Sequence, residues 1–174
     1  MMILDDYIKD QRLLETLNNP TLWQKEPFSG WYEGWWQRVP ETFWERIIYN
    51  IWRHYPNVAA AKGFEWWTNT HSGGGLDWHQ DKDEELCEAS GRVITPEYGA
   101  ILYPFKHDIE GGFLEIEYNN DPDSVERIAP VHNRLIMFDP SSSHRVSKVY
   151  SGQRRAFIVN LWMCHKPLFT SVTK

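Results

Sequence analysis

The sequence has little cysteine and no long apolar run, and these two absences narrow the classes of protein to which it could belong. Its 174 residues include two cysteines, too few for a disulfide framework or for a zinc site built from thiolates. The longest apolar stretches, such as residues 135–138 and 156–159, fall far short of the roughly 20 residues that a membrane-spanning helix needs. Any metal is therefore expected to be bound by histidine and carboxylate side chains.

Positive charge is also scarce. Lysine and arginine together number 18 against 24 aspartates and glutamates, which gives a formal net charge of −6. Binding to a phosphate backbone needs a basic surface, so this balance argues against a nucleic-acid partner. The first ten residues carry acids where a secretory signal would carry bases, and they contain no long apolar block. From the sequence we expect a cytoplasmic protein with no membrane partner.

Aromatic side chains, in contrast, are abundant. They make up 15% of the chain and include ten tryptophans, within a total apolar share of 41%. This composition excludes a disordered chain and suffices for one hydrophobic core, so we expect a single domain over residues 1–174. The tryptophans fit either a heavily aromatic core or an aromatic-lined cleft.

The spacing of apolar residues predicts a mainly β fold behind a helical N-terminal segment. Helical spacing predicts helices over residues 3–17 and from Thr42 to Pro56, with a packed loop over residues 21–40 between them. Further on, eight short β-prone runs alternate with turn residues and have no helix between them: 64–70, 76–80, 98–105, 113–118, 125–129, 134–138, 145–150 and 154–162. Eight such strands favour a jelly roll, also called a double-stranded β-helix, with the N-terminal helices of residues 1–60 packed on one side.

Two segments suggest a metal site. In LDWHQDKDE, His79 and Asp81 lie two residues apart, so on a strand both side chains leave the same face. The pair alone is a weak signal, because a surface histidine beside an acid looks the same. Further along, His144 follows a Pro-Ser turn and Arg154 opens the last β-run. Two histidines and one carboxylate form the facial triad of non-haem Fe(II) oxygenases, and an arginine fork suits a carboxylate such as the far end of 2-oxoglutarate.

Together these motifs resemble the Fe(II)- and 2-oxoglutarate-dependent dioxygenases, in the prolyl-4-hydroxylase-like branch, and look closest to the PKHD-type hydroxylases. The shared pattern is His-x-Asp, Gly-Gly before a β-run, Pro-Ser-Ser-Ser before His-Arg-Val, and Gly-x-Arg-x-Ala before a strand that ends in Trp. The matching residues are His79, Asp81, Gly111, Gly112, 140–146, Gly152, Arg154, Ala156 and Trp162. The resemblance covers about residues 64–165, the expected jelly-roll core, and does not explain the first 60.

This resemblance implies a role for each matching residue. His79, Asp81 and His144 would bind Fe(II), and Arg154 would bind the distal carboxylate of 2-oxoglutarate. Arg155 is the alternative. We prefer Arg154 because it lies on the same face of the strand as Trp162, the tryptophan that points inward in the family. Tyr103 is a candidate for a second cosubstrate contact, with a core residue as the alternative. Asn160 and Trp162 would border the cosubstrate or the substrate, Asn160 as a cosubstrate contact and Trp162 as a substrate contact, and core packing is the alternative for both. Asn69 is a weaker candidate.

The reaction that the resemblance implies is hydroxylation of a C–H bond with consumption of O2 and release of succinate and CO2. The substrate would be a peptidyl, prolyl-like residue or an amino acid. Acidic residues crowd the metal strand and would favour a cationic substrate, although a solvated charged loop explains them as well. These residues are Asp77, Asp83, Glu84, Glu85 and Glu88.

Three other functions remain open from the sequence. A jelly-roll binding module for carbohydrate or peptide would need neither iron nor 2-oxoglutarate and would expose its tryptophans in a groove. A cupin-like metalloenzyme without 2-oxoglutarate would use Arg154 only as a strand residue. A nucleic-acid demethylase of the same superfamily is disfavoured by the negative net charge, and by Asn160 at a position where those enzymes commonly carry a second arginine.

Overall fold

The computed structural model describes residues 1–25, 27–106, 108–118 and 121–167 of the protein. Its strands are β1 (Met2–Leu4), β2 (Ser29–Tyr32), β3 (Gly63–His71), β4 (Leu76–His79), β5 (Tyr98–Tyr103), β6 (Glu110–Gly111), β7 (Leu114–Glu117), β8 (Val125–Ile128), β9 (Arg134–Phe138), β10 (His144–Val146), β11 (Val149–Ser151) and β12 (Arg154–Trp162). Its helices are α1 (Gln11–Leu17), α2 (Pro20–Trp23), α3 (Phe43–Trp52) and α4 (Glu84–Ser90), with short 3-10 turns at Val58–Ala60 and Pro122–Ser124.

The strands form two main antiparallel sheets. A six-stranded sheet has the order β1-β9-β5-β12-β3-β2, and a four-stranded sheet has the order β4-β10-β7-β8. A further pair, β11 and β6, lies beside them. Strands distant in sequence are neighbours in space, most clearly β12, which pairs with β3 on one side and β5 on the other. The mainly β, double-sheet jelly roll that the strand pattern predicts is confirmed.

Strand β12 separates two apolar cores because successive side chains of a strand point to opposite faces. One set of its residues, including Ala156 and Ile158, packs between the two sheets with Ile116 of β7 and Phe138 of β9. The other set faces the N-terminal helices behind the large sheet. There the ring of Trp44 on α3 stacks on Phe157, with ring centroids 4.8 Å apart.

The N-terminal segment is less helical than its spacing predicts. Residues Met2–Leu4 form the edge strand β1 against β9 rather than the start of a helix, and the helix begins only after Asp10, whose carboxylate accepts hydrogen bonds from the first turn. The open edge of β9 offers backbone hydrogen bonds that a short helical turn cannot match. The expected loop over residues 21–40 contains α2 and β2.

From β3 onwards the structure follows the prediction with three exceptions, one of which is the two-residue strand β6, where no strand is expected. The run over 145–150 is divided into β10 and β11, and α4 lies between β4 and β5, where no helix is expected from the sequence. Helix α4 begins at Asp83, whose side chain accepts a hydrogen bond from the backbone of Leu86. Its seven residues are too few to show helical periodicity. Among the described residues, no helix has the length and apolar character required to cross a bilayer.

Candidate metal and cosubstrate site

An open cleft of about 1140 Å³ lies at the mouth of the two sheets. Its walls come from the inner face of β3 and β12, from β4, and from the loop that follows β4. The residues that line this wall include Glu65, Trp67, His79, Asp81 and Asn160. His144 is buried next to them, with 5% of its surface exposed.

His79, Asp81 and His144 converge, as the sequence predicts. Strands β4 and β10 are neighbours and pair His79 directly with His144, so the two rings lie 4.3 Å apart between centroids. Oδ1 of Asp81 lies 3.7 Å from Nε2 of each histidine. That separation is too long for a hydrogen bond, but it fits two ligand atoms that share one ion, because bonds of ~2.1 Å allow up to ~4.2 Å between them.

The two imidazoles are oriented for metal binding by backbone carbonyls. Nδ1 of His79 donates to the carbonyl of Asp77 at 2.8 Å, and Nδ1 of His144 donates to that of Ser142 at 2.9 Å. With the proton on Nδ1, each Nε2 has its lone pair free and turned towards Asp81. Burial lowers the pKa of His144, a shift that Asp81 opposes and His79 reinforces. The neutral ring, which is the form that binds a metal, is therefore favoured.

Asn160 contacts the carboxylate of the triad. Its Nδ2 donates to Oδ2 of Asp81 at 3.0 Å, which leaves Oδ1, the oxygen nearest both histidines, available to an ion. Asn160 is 1% exposed, and its side-chain carbonyl oxygen has no hydrogen-bond partner within the described parts of the chain. Asn160 therefore contacts a predicted metal ligand, and its contact with the cosubstrate stays a prediction.

Arg154 lies on the inner face at the start of β12 and is 2% exposed. Its Nε donates to the carbonyl of Gly112 at 2.9 Å, and its Nη2 donates to the hydroxyl of Tyr103 at 2.8 Å. A side chain at position 112 would lie 3.1 Å from Arg154 and would need a φ of +68°, so glycine is required there. Among the described residues no acid forms an ion pair with Arg154, which leaves a buried cation suited to an anionic ligand.

His71 is the direct cross-strand partner of Arg154. Its Nε2 is buried and has no hydrogen-bond partner among the described residues. Burial and the nearby Arg154 lower the pKa of His71 to about 4, so the ring is neutral at pH 7. The sequence analysis did not select His71 as a site residue, because histidine spacing does not reveal which residue lies opposite Arg154. Strand parity with Asn69, two residues earlier on β3, is the signal that would have found it.

The other candidates fall in different places. Arg155 points behind the large sheet, where its guanidinium lies 4.1 Å from the ring centroid of Phe105. Asn69 lines the cleft on β3. Trp162 is 1% exposed and donates from its indole nitrogen to Oε2 of Glu65 at 3.0 Å. A direct contact between Trp162 and substrate stays a prediction.

The acids around the metal strand do not act as one group. Asp77 and Glu84 line the cleft, and Glu84 pairs with Lys82 at 3.3 Å. Asp83 is buried. It is the N-cap of α4, and its carboxylate accepts a hydrogen bond from His165 at 2.6 Å. Two of the five acids therefore line the cleft, and one of them is already paired.

The donor set fits iron. Two neutral imidazole nitrogens and one carboxylate oxygen, all within 4.8 Å of one another, are the facial ligand set of non-haem Fe(II) enzymes that also bind O2 or a chelating cosubstrate. The buried, anion-free Arg154 supplies the second requirement of a dicarboxylate cosubstrate. Fold and site together define a jelly-roll oxygenase.

Comparison with known proteins agrees with this class. Residues 65–164 match the family model of the 2OG-Fe(II) oxygenase superfamily. The match spans more than half of the chain, so the protein belongs to this superfamily and is a 2-oxoglutarate-dependent dioxygenase. Members use Fe(II), 2-oxoglutarate and O2. A search of curated proteins finds no significant match.

Several solved structures share the fold at low sequence identity. A prolyl-4-hydroxylase from Pseudomonas putida has a TM-score of 0.64 at 12% identity, over 94% of this chain and 92% of that one. The viral collagen prolyl hydroxylase of Paramecium Bursaria Chlorella virus-1, in its 2OG complex, has a TM-score of 0.61 at 16% identity, over 94% and 96%. A prolyl hydroxylase from Trichoplax adhaerens, in complex with a hypoxia inducible factor peptide fragment, has a TM-score of 0.58 at 15% identity, over 92% and 82%. These structures agree with the jelly-roll fold, and both the prolyl-4-hydroxylase-like branch and the PKHD-type subgroup stay predictions.

Proposed function

We propose that residues 1–174 act as one hydroxylase domain that oxidises a C–H bond of a peptidyl, prolyl-like residue or of an amino acid. In this proposal His79, Asp81 and His144 hold the iron, and Arg154 with Tyr103 binds the distal carboxylate of 2-oxoglutarate. The observation that carries it is the coexistence of a His-Asp-His cluster with the buried guanidinium of Arg154, with which no acid of the described ranges forms an ion pair. A structural ion site would need the first but not the second.

The bound iron and cosubstrate supply the chemistry: 2-oxoglutarate and O2 convert R–H to R–OH and leave as succinate and CO2. The chain's own residues prepare the site. Asn160 orients Asp81 by donating to its carboxylate oxygen Oδ2. Backbone carbonyls fix the tautomers of both histidines. Arg154 offers a fixed fork, already held by Gly112 and Tyr103, which makes a bidentate contact to a carboxylate geometrically specific.

The size of the cleft supports a substrate larger than a single small molecule. Its volume of about 1140 Å³ exceeds what a free amino acid fills and leaves room for flanking peptide. Prolyl hydroxylases share the fold, and one of them is complexed with a peptide. These points favour a peptidyl substrate of the PKHD kind over a free amino acid. The two cysteines are free, which supports a reducing compartment such as the cytoplasm.

A Trp-based binding module is the weaker alternative. Of the ten tryptophans, only Trp78 is exposed, at 38%, and its ring lies against Arg145 at 4.6 Å. An aromatic platform for carbohydrate would need several exposed rings in one groove.

The decisive experiment loads the protein with Fe(II) under anaerobic conditions, adds 2-oxoglutarate and O2, and measures succinate against pooled peptides and amino acids. We expect succinate formation that needs both iron and 2-oxoglutarate and that rises with one pool. A protein that binds neither iron nor 2-oxoglutarate would contradict the proposal.

A further inference from the structure

We propose that Glu65 determines substrate specificity by binding a positively charged nitrogen of the substrate, an ammonium or a guanidinium, inside the cleft. This inference rests on the proposed function, because it assumes that the substrate occupies the cleft beside the metal site. Glu65 is not part of the metal or cosubstrate machinery, and its position on β3 gives it a separate task.

The first support is the location of Glu65. It lines the cleft together with Asp81 and Asn160. Glu65 and Asn160 are direct cross-strand partners on β3 and β12, so both side chains leave the same face of the sheet. Asn160 in turn contacts Asp81. The cross-strand partner of Glu65 thus contacts a residue of the triad. A substrate group held by Glu65 would therefore lie beside the metal site, close enough to position a C–H bond.

The second support is that the Glu65 carboxylate lacks a cation. Its one hydrogen bond comes from the neutral indole nitrogen of Trp162, although a carboxylate offers about four acceptor sites. Among the described residues no lysine, arginine or histidine forms an ion pair with it. Two other acids of the cleft wall differ from Glu65: Glu84 pairs with Lys82, and Glu115 pairs with both Arg127 and Arg145.

The electrostatic environment gives the same result. Burial raises the pKa of Glu65 to about 7. The hydrogen bond from Trp162 lowers this pKa, and the charges of Asp81 and Asp83 raise it further. A half-buried carboxylate in this state is poorly stabilised by its own protein. A cation that enters the cleft supplies the missing stabilisation, and an anion is repelled.

Aromatic rings flank the same carboxylate. Trp67 is two residues further along β3 and lines the cleft, and Trp31 of β2 is the cross-strand partner of Glu65 on its other side. The ammonium of Lys166 lies 5.1 Å from the ring of Trp31, so this neighbourhood already accommodates a cation on an aromatic face. A carboxylate among indole rings is a common arrangement for binding ammonium groups.

The test compares three small probes on the protein loaded with Fe(II) and 2-oxoglutarate, without O2, by calorimetric titration at pH 8. N-acetyl-lysinamide carries a side-chain ammonium, norleucinamide carries only an α-amino group, about half of which is protonated at pH 8, and N-acetylnorleucinamide carries neither. We expect at least one cationic probe to bind about tenfold more tightly than the neutral one. The better of the two cationic probes identifies the source of the charge.

Two variants locate the effect. Glu65→Gln keeps an acceptor for Trp162 but removes the charge, and we expect it to reduce the tenfold preference to less than twofold. Glu84→Gln removes an equal charge from the cleft wall and should leave the preference intact, which separates a specific contact from the general field.

The inference is overturned if the wild-type protein binds the cationic probes no more tightly than the neutral probe, or does not bind them. It is also overturned if the preference for a cationic probe survives in Glu65→Gln. Succinate formation and 2-oxoglutarate binding, measured on the same preparation, separate the two proposals. A wild-type protein that binds 2-oxoglutarate but shows no cation preference contradicts only the role of Glu65. A protein that does not bind 2-oxoglutarate contradicts the proposed function.

Discussion

The amide nitrogen of Asn160 donates to Oδ2 of Asp81 at 3.0 Å, while its own carbonyl oxygen has no hydrogen-bond partner in the portion of the chain that the structure describes. The carbonyl oxygen of Asn160 is thus left buried without a hydrogen bond, while its amide nitrogen orients the carboxylate of Asp81. We expect Asn160→Ala to weaken Fe(II) binding by about 10- to 100-fold, the usual effect of removing a group that orients a metal ligand. Competition with a coloured chelator measures this affinity. Asn50→Ala, at an exposed amide of α3, is the control, and unchanged iron affinity in Asn160→Ala would refute the role.

Removal of a triad residue should abolish iron binding. His79→Ala and His144→Ala each leave two of the three ligands, so we expect the iron content after dialysis to fall from about one ion per chain to near zero, together with succinate formation. His132→Ala provides a control, because His132 contacts Asn18 and lies outside the cleft. Normal iron content in both triad variants would exclude the assignment.

Arg154 and Arg155 are adjacent arginines on opposite faces of β12 and therefore form a matched pair. Arg154→Lys keeps the charge but loses the fork, so we expect 2-oxoglutarate to bind about tenfold or more weakly, from the loss of a charge-assisted hydrogen bond. Arg155→Lys should bind it as the wild type does. Calorimetric titration of the metal-loaded variants with 2-oxoglutarate measures both, and a larger loss in Arg155→Lys would favour the alternative residue.

The pair of Glu45 and Arg38 should make stability depend on pH. Burial raises the pKa of Glu45, but hydrogen bonds from Arg38 and from two backbone N–H groups outweigh it and lower the pKa overall. A lowered pKa contributes stability that is present above the unfolded-state value of ~4.3 and is lost as pH falls through the folded-state value.

We therefore expect the urea midpoint to fall on acidification below about pH 4.3, and to fall less steeply in Glu45→Gln. Glu15→Gln, at an exposed site on α1, should follow the wild-type curve. Parallel curves for wild type and Glu45→Gln would show that this carboxylate has no such effect.

The convergence of His79, Asp81 and His144 was predictable because the chemistry of this residue set is specific and two of its members are neighbours in sequence. His79 and Asp81 share a face by strand parity alone, and the set of two histidines and an aspartate has few uses. The role of Asn160 was not predictable, since its contact with Asp81 joins residues 79 positions apart. Glu65 and His71 were missed for the same reason: their partners, Trp162 and Arg154, are fixed by the pairing of β3 with β12.

The N-terminal region shows a different limit. The helix after Thr42 has a strong apolar face and a capping box with Glu45, and both signals are local. The edge strand β1 depends on an open neighbour, β9, which periodicity within the first 17 residues cannot reveal.

The two faces of strand β3 contact different parts of the protein: one faces the cleft, and the other packs in the apolar core behind the sheet. Glu65, Trp67 and Asn69 line the cleft, whereas Phe64 and Trp66 belong to the apolar cluster behind the sheet. A library of variants that randomises only Glu65, Trp67 and Asn69 could retarget the enzyme to new compounds while its scaffold stays intact. A single inserted residue in this strand would exchange the two sets and cost the protein both properties together.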